Sequence, residues 1–303
     1  AFGYFMSMNN FVKNSISYKK QNPEQFFNKT KEKLSQTIQL QKGKSYEKIV
    51  DENRSQPNFL IGFPRSGTTL IDTILRGHSK IKLVEEKPLI IKMLSNYRKN
   101  LEISEIEDID AKTTKTFSET YFEELKKFDT IENNKIIIDK LPLNILNVAL
   151  INKVFPNTKF ILALRHPMDC ILSCWMQNFE MNHAMANMVD LHRVVDFYCT
   201  SMEILKISKE RYNLNIHQVR YEDLISDLKG EVSNILDFFT LDWEKNLEDY
   251  QKTANSRKMI NTPSYSQVIK PVFKTASYRW KNYEKYLKQY ETQLKPWIEE
   301  FGY

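Results

Sequence analysis

A glycine-rich turn at residues 62–69 carries the clearest chemical signal in the sequence, Gly62-Phe-Pro-Arg-Ser-Gly67-Thr68-Thr69. It follows an apolar run at 59–61 and has the spacing of a phosphate-binding P-loop. The backbone N–H groups of such a turn, together with the positive end of the next helix, bind anions. Thr68 occupies the position of the lysine that contacts the outer phosphates of a nucleoside triphosphate. The turn therefore predicts a site for a phosphate-like group, but not for a triphosphate. Its side-chain donors are Arg65, Ser66 and Thr69.

Polar side chains follow three further apolar runs, at the points where strands are expected to end. Glu85-Glu86 follows the second run, Asp139-Lys140 the third and Arg165 the fourth, and Ser173 comes eight residues after Arg165. Ligands of open parallel sheets bind beyond the carboxyl ends of the strands, so we expect these groups to meet the glycine-rich turn in one crevice.

Each of these groups also has a plainer interpretation. The two glutamates could form an acidic pair at a helix N-terminus. Asp139 could be a magnesium ligand of Walker-B type or a cap before Pro142, and Arg165 could form a surface ion pair. His166 and His183 lack partners at the spacing of a metal site or a catalytic triad, so we interpret both as structural.

The elements that must position these groups are short, nearly continuous apolar strands that alternate with helical patterns. Such strands are typical of a parallel sheet covered by helices on both faces. The sequence therefore predicts an α/β fold with a P-loop-like parallel sheet of about five strands. The expected strands are 59–62, 81–84, 135–138, 159–164 and 216–219.

Residues 1–55 contain no strand pattern and predict a helical N-terminal segment, which leaves 56–303 for the sheet domain. The chain has 303 residues, 41% of them hydrophobic and 27% charged, as in an ordinary globular protein. No apolar run approaches the roughly 18 residues that span a bilayer. The net charge of +6 suits an acidic ligand and is too small and too dispersed for a nucleic-acid interface. We expect Cys170, Cys174 and Cys199 to be buried free thiols, which favours the cytoplasm.

Taken together, the motifs resemble those of the sulfotransferase superfamily. Residues 64–70 resemble its 5′-phosphosulfate loop, and residues 165–173 resemble its 3′-phosphate site. Residues 264–272 and Arg279-Trp280 are similar to the tail of the tyrosylprotein sulfotransferases and the tetratricopeptide-repeat-linked bacterial sulfotransferases. The resemblance extends over about residues 58–288 and covers four motifs in the same order.

The resemblance implies that the sulfuryl donor is 3′-phosphoadenosine 5′-phosphosulfate, that the product is adenosine 3′,5′-bisphosphate and that no metal is needed. It implies that Glu86 is the general base and that Lys140 and Ser264 stabilise the bridging oxygen and the transferring sulfuryl group. The implied cofactor-binding residues are Arg65, Ser66, Gly67, Thr68, Thr69, Arg165, Ser173, Tyr221 and Arg279.

The residue types suit that chemistry. Sulfuryl transfer, like phosphoryl transfer, needs donors around the equatorial oxygens, a cation near the leaving oxygen and a base for the acceptor. The acceptor is a hydroxyl or amine of a small molecule, glycan or peptide. Pro88 stands where the tyrosylprotein enzymes have an arginine near the acceptor peptide, which weakens the case for a tyrosyl peptide. No nucleic-acid or membrane partner is expected, and a homodimer stays open.

Two other functions stay open on the sequence alone. One alternative is a nucleotide or small-molecule kinase, which would explain the glycine-rich turn together with the apolar run that ends at Asp139. Thr68 in the lysine position is evidence against this alternative. A non-catalytic binding protein on a degenerate P-loop fold is the other alternative.

Overall fold

A five-stranded parallel sheet forms the centre of the molecule, in the order β2-β3-β1-β4-β5. The computed structural model describes residues 1–39, 56–95, 106, 109–130, 132, 134–256 and 277–303. All four strand pairs are parallel. The predicted α/β sheet with about five strands is therefore confirmed. The strands are β1 Asn58–Gly62, β2 Ile81–Glu85, β3 Ile136–Lys140, β4 Phe160–Leu164 and β5 Ile216–Arg220.

Helices cover both faces of the sheet, and the strands alternate with them along the chain. Within the described residues the α-helices are α1 Phe2–Asn14, α2 Ile16–Lys19, α3 Pro23–Gln39, α4 Thr68–Leu75, α5 Leu89–Ser95, α6 Ala111–Lys126, α7 Val148–Val154, α8 Pro167–Trp175, α9 Leu191–Tyr212, α10 Tyr221–Ser226, α11 Leu228–Phe238, α12 Tyr250–Ser256, α13 Glu284–Leu287 and α14 Glu291–Glu300. Short 3₁₀ turns include Pro142–Asn147, Met185–Val189 and Arg279–Tyr283. In the part of the chain described here, no helix combines the length and the apolar character that a membrane span requires.

Successive residues of each strand point to opposite faces, and the core divides accordingly. Phe59 and Ile61 of β1 enter the larger apolar cluster, whereas Leu60 between them enters the smaller one. In β4, Phe160 and Ile161 divide in the same way. Because both faces of a strand are buried, its sequence is a continuous apolar run rather than an alternating one.

The order of the strands places the glycine-rich turn at the middle of the sheet. β1 is flanked by β3 on one side and by β4 on the other. After β1 the chain forms β2 and β3 on one side of it and then β4 and β5 on the other side, so the strand order reverses around β1. Crevices at such a reversal, beyond the carboxyl ends of the strands, are the usual ligand sites of α/β sheets.

The sequence pattern predicts one long helix from Met185 to Lys209, but the structure divides this stretch. A 3₁₀ turn ends at Val189, and α9 starts at Leu191. Between them Asp190 has an extended backbone, and its carboxylate accepts the N–H of Arg193. Aspartate is a preferred N-cap because it satisfies a free N–H of the first helical turn. The apolar periodicity continues across this cap and therefore conceals it.

The N-terminal helices pack against the sheet domain through apolar, polar and charged contacts. Phe27 of α3 lies in the larger core cluster and meets the ring of Phe197 edge-on. The Asn9 side-chain amide donates to the Trp175 carbonyl at 2.9 Å. The ammonium of Lys33 donates to the Leu146 carbonyl at 2.8 Å, and burial lowers the pKa of Lys33 to about 8. The boundary between residues 55 and 56 stays a prediction.

Candidate active site

The glycine-rich turn is held close to its neighbours at both of its glycines. A Cβ on Gly62 would lie 2.6 Å from the carbonyl oxygen of Ala163 on β4. Gly67 has φ of +105°, and a Cβ there would lie 2.9 Å from the ring of Tyr221. Both distances are shorter than van der Waals contact permits, so each position requires glycine. The turn is thereby fixed between β4 and the start of α10.

Two features of this turn fit it to bind an anion. Arg65 is a non-glycine residue at φ of +71°, a strained conformation that is concentrated at functional sites. The Ser66 hydroxyl is buried and lacks a hydrogen-bond partner within the described residues. A buried hydroxyl without a partner is costly unless a ligand satisfies it. α4 begins at Thr68, directly after the turn, so its N-terminal N–H groups face the same space.

Two thiols of α8 contact the backbone of the glycine-rich turn. The Sγ atoms of Cys170 and Cys174 lie 3.3 Å and 3.0 Å from the carbonyl oxygen of Pro64. Both cysteines are free and buried, as expected. The expectation that Cys199 is buried was wrong, because it lies half-exposed on α9. One face of α8 therefore supplies two S–H donors to a single backbone acceptor of the turn.

The arginine after β4 joins the turn from the other side. Arg65 Nε donates to Ser173 Oγ at 3.1 Å, and Arg165 Nη1 lies 3.4 Å from the carbonyl oxygen of Arg65. The Arg165 guanidinium also lies over the ring of Tyr221, 5.1 Å from its centre. Burial and the neighbouring Arg165 charge lower the pKa of Arg65, although arginine stays charged in proteins. Two guanidinium groups and a hydroxyl therefore concentrate positive charge at this end of the turn.

The second group of site residues lies on the β3 side. The ammonium of Lys140 is fully buried and donates to Glu86 Oε1 at 2.8 Å and to Glu85 Oε1 at 3.2 Å. Glu85 is paired with Lys140 in the register of β2 and β3. Glu86 lies one residue beyond β2 at φ of +49°, and its N–H donates to the Lys140 carbonyl at 2.8 Å. The helix-terminus interpretation of the glutamates was wrong, because α5 starts only at Leu89 and its first turn contains no acidic residue.

Asp139 precedes Lys140 in β3 and lies in the core. Its carboxylate accepts the hydroxyl of Tyr121 at 3.1 Å, and its second oxygen lacks a partner within the described residues. Burial raises the pKa of Asp139 to about 7, against the opposing effects of Tyr121 and Lys140. Its carboxyl therefore packs against α6 and does not cap the turn at Pro142.

The turn separates the two groups, since β1 runs between β3 and β4. Neighbouring strands lie about 4.8 Å apart, so the ends of β3 and β4 are separated by roughly 10 Å. One crevice thus has a lysine–glutamate pair at one end, an arginine pair at the other and a turn of backbone donors between them. Arg65 belongs to the β4 end, because its side chain is bonded to Ser173.

The remaining sequence-predicted residues are distributed as follows. Thr68 and Thr69 are buried in the first turn of α4, and Tyr221 begins α10 beside Gly67. Arg279 is exposed at the start of a 3₁₀ turn. The next residue in that turn, Trp280, donates its backbone N–H to Asp169 of α8. Ser264 and the motif at 264–272 lie outside the described residues.

Sequence reasoning missed Glu222 and the ring of His166 as parts of the site's support. Glu222 follows Tyr221 directly, so its position just after β5 could have identified it as a candidate from the sequence. Its carboxylate accepts the hydroxyl of Tyr303, which lies 81 residues further along the chain, and no local pattern links the two residues.

The fold and the crevice define an α/β protein with a glycine-rich turn at the reversal of the strand order and a separate lysine–carboxylate pair. The model of the sulfotransferase family matches residues 57–245, and the chain belongs to that family. The family prediction is thereby confirmed.

Two known proteins are similar to this chain in sequence. An uncharacterized protein of Aquifex aeolicus is 28% identical over 298 residues, which are 95% of this chain and 38% of that protein. Protein-tyrosine sulfotransferase A of Caenorhabditis elegans is 25% identical over 75% of this chain and 62% of its own length. This chain thus spans about two fifths of the first relative and three fifths of the second.

Two solved structures share the fold. The sulfotransferase domain of the Synechococcus PCC 7002 olefin synthase superposes with a TM-score of 0.50 at 21% identity, over 78% of this chain and 91% of that domain. The sulfotransferase domain from the curacin biosynthetic pathway gives a TM-score of 0.52 at 20% identity, over 75% of this chain and 92% of that domain.

Proposed function

We propose that this protein transfers a sulfuryl group from 3′-phosphoadenosine 5′-phosphosulfate to a hydroxyl or amine acceptor. The observation that carries the proposal is the division of the crevice. The Arg65–Arg165–Ser173 group lies at the β4 end, and the Lys140–Glu86 pair lies at the β3 end. Membership of the sulfotransferase family supports it. The particular donor and the particular base are our inference.

The β4 end suits the 3′-phosphate of the donor. A phosphate accepts hydrogen bonds from a guanidinium in parallel pairs, and two guanidinium groups meet here beside a serine hydroxyl. Tyr221 packs against both Gly67 and Arg165, and we propose that its ring contacts the bound nucleotide. Arg279 and Ser264 are proposed as further contacts on the resemblance alone.

The middle of the crevice suits the 5′-phosphosulfate. The N–H groups of Gly67 to Thr69 at the start of α4 and the unsatisfied Ser66 hydroxyl would all serve as donors to an anion. When bound, the donor supplies an activated sulfuryl group whose sulfur–oxygen bond to the phosphate is the one that breaks. Backbone donors held rigidly by glycines stabilise developing charge without having to reorganise.

The β3 end suits proton transfer and leaving-group stabilisation. The buried Lys140 ammonium is the cation next to the turn, and it holds Glu86 by a 2.8 Å hydrogen bond. Glu86 has 31% of its side chain exposed, so it reaches the space that an acceptor would enter. The carboxylate would remove the acceptor proton, and Lys140 would stabilise the charge that forms on the departing phosphate oxygen.

The same geometry disfavours a kinase. Thr68 leaves the turn without the point charge that P-loop kinases place on the outer phosphates. Asp139, the residue in the Walker-B position, is fully buried against Tyr121. The strained backbones of Arg65 and Glu86 are typical of functional sites, catalytic or ligand-binding, so a transfer assay is needed to separate an enzyme from a binding protein.

The proposal is tested in two steps. Calorimetric titration in EDTA should show tight binding of adenosine 3′,5′-bisphosphate, and a separate titration in magnesium buffer without EDTA should show that ATP binds at least tenfold more weakly. Incubation with the sulfuryl donor and a library of phenols, alcohols and amines should then shift the mass of an acceptor by one SO₃. Preferential binding of ATP with magnesium, or bisphosphate binding without transfer to any acceptor, would contradict it.

A further inference from the structure

A buried carboxylate in the first turn of α8 has one oxygen without a hydrogen-bond partner. The side chain belongs to Asp169, which is 1% exposed. Its Oδ1 accepts the N–H of Trp280 at 2.8 Å. Its Oδ2 has no partner among the residues that the structure describes. Buried polar atoms in proteins are rarely left unpaired, so this oxygen is suited to accept a hydrogen bond from a bound ligand.

Asp169 lies on the face of α8 that packs against the glycine-rich turn. On that face Ser173 Oγ accepts Arg65 Nε at 3.1 Å, and the two buried thiols of α8 contact the turn at Pro64. Residues four apart on a helix are neighbours on its surface, so Asp169 lies one turn before Ser173 on the same face. Since α8 begins directly after β4, Asp169 is nearer than Ser173 to the edge of the sheet where the crevice lies.

The surroundings of Asp169 leave its charge incompletely paired. Burial raises the pKa of its carboxyl, and the charge of Glu222 adds to that effect. The charge of Arg165 and the backbone N–H groups of Trp280 and Tyr278 act against it. Because the net shift is upward, these partners do not fully offset the cost of burying the carboxylate. One more donor at Oδ2, an O–H or N–H of a ligand, would stabilise the charged form.

The nucleotide proposed above has two kinds of donor. One is the ribose 2′-hydroxyl, on the carbon next to the one that bears the 3′-phosphate. The other is the amino group of adenine, at the far end of the base. A phosphate bound by Arg165 and Ser173 would bring the 2′-hydroxyl within about 5 Å of that serine, roughly one helical turn. The position of Asp169 one turn from Ser173 therefore matches the hydroxyl and not the amino group.

We propose that Asp169 Oδ2 accepts a hydrogen bond from the ribose 2′-hydroxyl and makes the site selective for ribonucleotides over 2′-deoxyribonucleotides. This inference rests on the proposed function, because the 3′-phosphate site determines where the ribose lies. A carboxylate is a strong acceptor, and its hydrogen bonds have roughly twice the strength of those between neutral groups. Loss of the 2′-hydroxyl should therefore be measurable as a loss of affinity.

The test compares adenosine 3′,5′-bisphosphate with its 2′-deoxy analogue by calorimetric titration of the full chain in EDTA. We expect the wild type to bind the deoxy analogue about tenfold more weakly, equivalent to about 1.4 kcal/mol. Asp169→Ala should bind the two nucleotides within about twofold of each other. The ratio is taken within each variant, so a general loss of affinity in Asp169→Ala does not affect it.

Two further variants complete the comparison. Asp169→Asn still accepts the N–H of Trp280 but offers the hydroxyl only a neutral partner, so the preference should fall to about threefold, and this variant decides if Asp169→Ala does not fold. Asp196→Ala is the matched control, because Asp196 is a carboxylate of α9 that likewise binds the C-terminal segment, through Gln293 at 2.8 Å. The control should keep the wild-type preference. Equal binding of both nucleotides by the wild type, or an unchanged preference in the Asp169 variants, would overturn the proposal.

Inosine 3′,5′-bisphosphate tests whether Oδ2 binds the base instead. It lacks the amino group of adenine, and its affinity relative to the adenosine nucleotide should be the same in the wild type and in Asp169→Ala. A discrimination against inosine that Asp169→Ala removes would assign Oδ2 to the base and overturn the proposal.

Adenosine 5′-phosphate separates a failure of this inference from a failure of the proposed function. If the wild type binds the bisphosphate more tightly than the monophosphate but does not distinguish ribose from deoxyribose, only the role of Asp169 is wrong. If it binds the bisphosphate and the monophosphate equally, the 3′-phosphate site itself is wrong, and both proposals fall.

Discussion

Glu86 and Glu85 carry the same carboxylate but differ in position at the site. Glu85 belongs to β2 with 12% of its side chain exposed, whereas Glu86 lies beyond the strand with 31% exposed. Glu86 also adopts φ of +49° directly after the strand. The more exposed carboxylate is the one an acceptor hydroxyl could reach, so the geometry favours Glu86 over Glu85 as the proposed base.

Glu86→Gln should therefore lower turnover and leave the nucleotide site intact. The glutamine oxygen still accepts from Lys140, but it no longer takes a proton. We expect turnover to fall by about 10²–10⁴-fold, the usual range for loss of a general base. Bisphosphate affinity, measured by titration, should change less than about twofold. Glu85→Gln is the control and should act mainly on stability. Wild-type turnover in Glu86→Gln at a saturating acceptor would refute the assignment.

Arg165→Ala tests the other end of the crevice. Loss of a buried guanidinium should weaken adenosine 3′,5′-bisphosphate by roughly 2–4 kcal/mol, about thirtyfold to a thousandfold, because a buried phosphate is left unpaired. Adenosine 5′-phosphate lacks that phosphate and should bind almost as before. Arg211→Ala on α9 serves as a control outside the crevice. An equal loss for both nucleotides would remove Arg165 from the 3′-phosphate site.

At the scale of elements, α8 supports the glycine-rich turn through its two thiols. Cys170→Ala with Cys174→Ala leaves the Pro64 carbonyl buried without its S–H donors, at a cost of about 1–3 kcal/mol in the free energy of unfolding. Because we propose that the turn binds the 5′ group of the nucleotide, both nucleotides should weaken together, in contrast to Arg165→Ala. Cys174→Ser keeps a donor and should lose less. Cys199→Ala on α9 controls for thiol removal, and full nucleotide affinity in the double variant would contradict the supporting role.

In strand β3 the side chain of Lys140 lies at the crevice and that of Asp139 lies in the core. We expect Asp139 to affect how the free energy of unfolding depends on pH. Burial raises its pKa to about 7, above the ordinary 3.8, so the folded state favours the protonated form. Wild-type stability should therefore fall as pH rises from about 4 to about 7, by at most about 4 kcal/mol from this group.

Asp139→Asn removes that titration while still accepting from Tyr121. The gain of the variant over the wild type in the free energy of unfolding should grow between pH 5 and pH 8, measured by urea unfolding. His166 contributes the opposite slope, because its neutral form is favoured, but it is present in both proteins and cancels in the difference. A difference that is constant over this pH range would show that Asp139 ionises normally.

The sequence predicted the parts of the site that follow strands directly. The apolar runs before Gly62, Glu85, Lys140 and Arg165 are local patterns, and parallel strands must bring their ends to one edge. Contacts between distant segments have no such pattern. Tyr121 and Asp139 meet through packing of α6 on the sheet, and Tyr303 meets Glu222 across 81 residues. The strained backbones of Arg65 and Glu86 were also invisible, since neither residue type favours positive φ.

At the scale of the whole molecule, the N-terminal helices and the sheet share one apolar core. Phe27 of α3 belongs to the cluster that contains Phe59 and Phe160 of the central strands. The Lys33 ammonium binds the end of the 3₁₀ turn that follows Lys140. Contacts of this kind make the helices part of the structure that carries the site.

Phe27→Ala measures this coupling. Phe27 is 4% exposed and packs on Phe197, so its loss should lower the free energy of unfolding by about 3–5 kcal/mol, as for other buried phenylalanines. Phe11→Ala is the matched control, because Phe11 lies 79% exposed on α1 and should change stability by less than about 0.5 kcal/mol. Urea unfolding followed by tryptophan fluorescence should show one transition, since Trp175 and Trp297 lie in the same cluster. A separate early transition in Phe27→Ala, with the main one unmoved, would show that residues 1–39 fold as an independent unit.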